Sequence, residues 1–152
     1  DQFKRGWSFT CVYLLRDRVD EAGNQQFGYY RPDYTPQKAA VYLHNLTTIL
    51  ADNGSLSKPG KINYSIPEEP ATVHDLLLQK SDGSFALVVW SELVKGTNDV
   101  RVNLGGTYAT IKIYDPTIGI TPVQTNREIN SLTLPLSNHP LSIESPANLS
   151  QK

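Results

Sequence analysis

Three carboxylates, Asp17, Asp20 and Glu21, crowd one polar stretch directly after an almost continuously apolar run at residues 7–15. Two carboxyl groups roughly 5–10 Å apart can divide the acid and nucleophile roles of glycoside hydrolysis. Here Arg16 and Arg18 alternate with the acids, and neighbouring cations keep carboxylates ionised. Such groups suit contact at the rim of a site better than proton transfer within it. The aromatic run Tyr29, Tyr30 and Tyr34 has two uses, to stack on the flat apolar face of a sugar ring or to pack its loop onto a neighbour. Packing is the first expectation. The same holds for Trp90, which shares a strand face with Ala86 and Val88.

The remaining chemistry-bearing residues are dispersed. The three histidines lie at 44, 74 and 139. His44 sits beside a helical apolar stripe and reads as structural, while His139 precedes Pro140 in a turn and reads as a surface residue. The single cysteine, Cys11, excludes an internal disulfide and a zinc site of the usual kind. It reads as a small buried hydrophobe. No phosphate-cradling glycine loop, nucleophile elbow, paired-histidine helix or calcium loop is present. The sequence therefore implies no cofactor and no metal.

A formal net charge of −1 removes the electrostatic case for nucleic acid or an anionic membrane surface as partner. No apolar run approaches the roughly 18–20 residues of a membrane helix. Residues 1–6 lack the basic start and apolar core of a signal peptide. Four Asn-x-Ser/Thr sequons, at Asn45, Asn53, Asn63 and Asn148, point towards a secreted or other extracytoplasmic location.

The elements that must position these residues change period along the chain. Residues 7–15 are apolar without alternation, the pattern of a strand buried on both faces, as in parallel sheets. A polar loop with a turn at Gly23-Asn24 leads to a helix over 35–53. Thr35 is its expected cap, Pro36 lies in its first turn, and Ala39, Tyr42, Leu43, Leu46, Ile49 and Leu50 form one stripe. Asn53-Gly54 is its expected stop. Residues 55–61 read as a linker.

Beyond it the period is two. Strands are expected at 73–81 and 84–93 around Asp82-Gly83, then at 100–104, 108–114, 120–124, 131–136 and 141–144. The fold class is thus mainly β, an antiparallel sandwich of about seven to eight strands preceded by one strand–loop–helix unit of a (β/α)8 barrel. The expected division is 1–54 for the βα unit, 62–146 for the sandwich and 147–152 for a frayed tail. A parallel strand with no further βα unit beside it marks the chain as the C-terminal portion of something larger.

Particular motifs carry a family resemblance. Tyr13-Leu14-Leu15-Arg16-Asp17, Gly28-Tyr29-Tyr30 and Tyr34-Thr35-Pro36-Gln37-Lys38-Ala39-Ala40 resemble the last strand, loop and helix of retaining glycoside hydrolases of the barrel-plus-sandwich type. The likeness departs at Leu14, where an acidic residue is usual, and at Gln37-Lys38-Ala39 in the helix start. Residues 85–92, Tyr114-Asp115-Pro116 and Asn138-His139-Pro140-Leu141 resemble strands of the sandwich. The resemblance implies a retaining mechanism with two Glu on the fourth and seventh barrel strands, neither of which is in this chain. It confines substrate contacts to Arg16, Asp17, Tyr29 and Tyr30. The implied partners are carbohydrate and the remainder of the barrel, in the same precursor or as a separate chain.

Two other readings belong to different classes. One is a free-standing carbohydrate-binding module using Tyr29, Tyr30, Tyr108 or Tyr114 as stacking surfaces. The other is an oligomerisation module using the run at 7–15 and the helix as an interface.

Overall fold

Asp82-Gly83 turns the chain between β1 (Val73–Gln79) and β2 (Phe85–Ser91), which pair antiparallel from Val73 opposite Ser91 to Gln79 opposite Phe85. Gly83 sits at φ +86°, a left-handed conformation that glycine adopts without a Cβ clash. Asp82 closes the turn by accepting the backbone N–H and hydroxyl of Ser84. The computed structural model describes residues 2, 4–19, 25–55 and 58–147. Asp20, Glu21, the Gly23-Asn24 turn, the Asn148 sequon, part of the expected linker and the tail beyond Ala147 lie outside the described residues.

The described chain is mainly β, with antiparallel sheets and one helix. Five strands form a sheet in the order β1-β2-β7-β4-β5, with β4 at Ile111–Tyr114, β5 at Gln124–Asn126 and β7 at Leu141–Ser145. A second sheet pairs β3 (Asn98–Tyr108) with β6 (Ile129–Leu136). Alternating residues of both sheets meet in one apolar cluster. Leu87 and Val89 from β2, Val102 and Leu104 from β3, Leu134 and Leu136 from β6 and Ile143 from β7 all belong to it. Burial alternates along β3 and β6, as period-two patterning requires, whereas β2 and β7 are buried on both faces.

Several boundaries differ from expectation, among them the strand expected at 108–114, which begins as β4 only at Ile111. Gly105-Gly106 does not end a strand. β3 runs through it to Tyr108, with a register shift against β6 between Asn103 and Tyr108. Gly105, at φ +72°, is packed so closely that a Cβ there would stand 1.6 Å from the Asn63 carbonyl oxygen. The strand expected at 120–124 is displaced to Gln124–Asn126, beyond Pro122.

The helix α1 spans Lys38–Ile49, inside the expected 35–53. Its start is delayed because residues 35–37 are held extended against the loop. Thr35 accepts the Arg31 N–H, Pro36 bridges to Tyr30, and the Gln37 N–H donates to the Tyr29 carbonyl. It ends early, at Ile49, whose otherwise unpaired terminal carbonyl accepts the Lys80 ammonium at 2.9 Å. Asp52 then leads the chain away by accepting the Ser81 N–H and hydroxyl. Only Asn45 and Ile49 are buried on α1, with Tyr42 and Leu46 half-buried on the same face; Val41 and Leu43 stay exposed.

Residues 7–15 form no strand. Trp7, Phe9, Val12, Tyr13 and Leu15 are exposed, and so is Cys11, contrary to its expected burial. The physical reason is plain: neither sheet pairs with this segment, and its loop contacts, the Tyr29 and Tyr30 N–H groups donating to the Leu14 and Leu15 carbonyls and Phe27 beside Tyr13, leave most of its side chains uncovered.

Candidate functional site

The loop between residue 15 and α1 is organised by one buried carboxylate. Asp17 is 6% exposed. Its Oδ1 accepts the Gly28 N–H at 2.7 Å and its Oδ2 accepts the Gln37 side-chain amide at 2.9 Å. The same amide also reaches the Gly28 carbonyl. Gly28 is required here, since a Cβ would stand 2.7 Å from the Asp17 backbone nitrogen. Backbone pairing completes the fold of the loop. Arg16 and Tyr30 form a parallel bridge, with the Tyr30 N–H donating to Leu15 and the Asp17 N–H donating to Tyr30. A carboxylate whose two oxygens each accept a hydrogen bond within the loop is a strong local anchor.

Arg16 points outward from this scaffold. Its guanidinium carbon lies 4.9 Å from the Tyr34 ring centroid, and Nη1 donates to the Tyr34 hydroxyl at 2.9 Å. Tyr34 has a φ of +66°, a conformation that costs about 1–3 kcal/mol for a non-glycine residue and persists only where neighbours enforce it. They do so here. The Tyr34 N–H donates to the Arg31 carbonyl, and Asp33 Oδ1 accepts the Thr35 N–H. That backbone hydrogen bond from Thr35 is the chief reason the Asp33 carboxyl lies below its ordinary value.

Tyr29 and Tyr30 are half-buried on the opposite side. With Thr10, Val12, Leu15, Ala40, Leu43 and His44 they line an open groove of about 470 Å³ between the N-terminal segment and α1. His44 is thus exposed at a groove rather than buried. The four residues expected at a substrate rim therefore divide: Arg16 faces solvent with Tyr34, Asp17 is committed to holding the loop, and Tyr29 and Tyr30 face the groove.

A second cluster was not legible as a unit. His139 Nδ1 lies 2.8 Å from Ser137 Oγ and its Nε2 lies 3.1 Å from Asp115 Oδ2. Asp115 Oδ1 meanwhile accepts the Thr117 N–H and hydroxyl. The residue types match those of hydrolytic triads. Yet serine and histidine share one turn, and the relay joins that turn to the one after β4, which makes it a clasp. From the latter turn the Pro116 carbonyl accepts the Asn45 side-chain amide at 2.8 Å, both buried. Asn45 is therefore committed in the folded chain, whereas the sequon asparagines Asn53 and Asn63 are exposed.

Tyr108 and Tyr114 are 4% and 9% exposed. They belong to the interior, so they offer no stacking surface to a free-standing module. Trp90 is half-buried against His74, with ring centroids 5.6 Å apart. Among the described residues no group of three or more His, Cys, Asp or Glu side chains could hold a metal ion. No helix among them is long and apolar enough to cross a membrane. No protein-family model matches the chain, and no curated protein matches it.

Proposed function

We propose that the chain is the C-terminal, non-catalytic portion of a secreted glycoside hydrolase that acts by a two-carboxylate retaining mechanism. Residues 1–54 are the last βα unit of a (β/α)8 barrel, and the β-region is a sandwich that packs beside it. Both catalytic Glu lie outside these residues. Arg16, Asp17, Tyr29 and Tyr30 belong to the loop that such a barrel places on its C-terminal face, where substrate binds.

One observation carries the reading. The most continuously apolar segment of the N-terminal third, residues 7–15, is exposed and pairs with neither sheet, while Val41 and Leu43 of α1 are exposed as well. Soluble chains rarely leave a contiguous apolar surface of this kind without a partner. A segment patterned for burial on both faces, followed by a loop and a helix, is what a parallel βα unit in want of its neighbours would present. The motifs around Tyr13, Gly28 and Thr35 add the resemblance to glycoside hydrolases.

The test is the intact mass of the native gene product or of its stable complex. The proposal expects a species large enough to include a barrel, in one chain or two. A free-standing mature chain of 152 residues with no companion would contradict it.

A further inference from the structure

We propose that Tyr34, held by Arg16, is a stacking platform for the apolar face of a sugar ring; this rests on the glycoside hydrolase reading above. Tyr34 is 69% exposed, in contrast to the half-buried Tyr29 and Tyr30. Exposure alone marks nothing, but this ring is held in place from two directions. Its backbone is locked at φ +66° by the Arg31 hydrogen bond and the Asp33 turn. Its hydroxyl is tethered to Arg16 Nη1. A freely rotating surface tyrosine needs neither restraint.

The chemistry fits a carbohydrate. The Arg16 guanidinium, 4.9 Å from the ring centroid, takes one side of the π-system and leaves the other for a ligand. Sugar rings present weakly positive C–H groups on their apolar face, and these complement the negative face of an aromatic ring. Arg16 at the ring, and the exposed Arg31 and Asp33 close to Tyr34 in the chain, supply donors and acceptors suited to hydroxyl groups. Restraining the ring beforehand lowers the ordering cost of binding. Asp17 supports this arrangement from beneath, because its bonds to Gly28 and Gln37 set the path of the backbone that carries Arg16.

A titration of the full chain with xylohexaose, cellohexaose, mannohexaose and laminarihexaose, followed through tyrosine ring resonances by NMR, tests this. At least one hexaose should move the Tyr34 signals saturably in the millimolar range, with smaller changes at Tyr29 and Tyr30. Tyr34→Ala should weaken that binding about tenfold or more, and Tyr34→Trp should retain it. An unchanged spectrum for the β-region would show that the Tyr34→Ala chain is still folded. If none of the hexaoses moves Tyr34, or Tyr34→Ala binds as tightly as the parent, the platform does not exist. That outcome leaves the barrel reading standing, because the native mass decides it independently.

Discussion

Asn45 of α1 donates its side-chain amide to the carbonyl of Pro116 at 2.8 Å, in a buried contact that ties the helix to the turn after β4. Truncation at Asn45 leaves the Pro116 carbonyl buried without this partner, which costs about 1–3 kcal/mol. Asn45→Ala is expected to lower stability by that amount in urea denaturation. Asn45→Asp should lose more at neutral pH, since a carboxylate would face the carbonyl dipole.

Asp17 is expected to act on the loop and not on the β-region. Asp17→Ala removes the acceptor of the Gly28 N–H and of the Gln37 amide. Hydrogen exchange should show the Gly28 amide losing protection, while β2 and β7 amides keep theirs, because local opening need not involve the whole chain. Loss of protection across the sheets would place Asp17 in the global fold instead.

Neighbouring glycines at 105 and 106 should respond in opposite ways. Gly105→Ala meets the Asn63 carbonyl and must also take φ +72°. The left-handed conformation alone costs about 1–2 kcal/mol, so a marked drop in thermal midpoint is expected. A Cβ at Gly106 has no heavy atom within 4 Å, and Gly106→Ala should leave the midpoint close to that of the parent.

Asp75 links acid stability to the N-terminal segment. Burial by itself would raise its carboxyl, but the Tyr64 hydroxyl and the Lys4 ammonium both donate to it and hold it below the ordinary 3.8. A depressed folded value means the stabilisation is complete above 3.8 and is lost as pH falls through the lower folded value. Asp75→Asn should therefore be less stable than the parent at pH 7. It should also show a shallower loss of stability below pH 3.8, read from urea midpoints across the acid range.

The β-region was largely legible because burial alternates along β3 and β6 while β2 is a short apolar run bounded by turns. Asp82-Gly83 announced the first hairpin, and the alternating run at 131–136 announced most of β6. Gly105-Gly106 misled, because the same glycine pair that signals a turn also permits a bulge in a continuing strand. The helix was legible in its centre and not at its ends, where partners distant in sequence take part: Asp17 accepts the side chain of Gln37 just before the helix, and Lys80 donates to the Ile49 carbonyl. The loop residues were recognised as a group, but their division of labour was hidden. Nothing local distinguishes the inward Asp17 from an outward one, and the positive φ of Tyr34 is a tertiary outcome. The link from His139 to Asp115 spans strands and has no motif at all.

The account rests most heavily on residues 7–15 being a strand that other residues complete. Backbone hydrogen exchange on this chain and on the native gene product measures that directly. In the chain alone, amides 8–15 should exchange as fast as an unstructured segment, in keeping with their exposure. In the native product they should be protected to the level of β2, as for a central strand of a closed barrel. Equal, fast exchange in both would contradict the account.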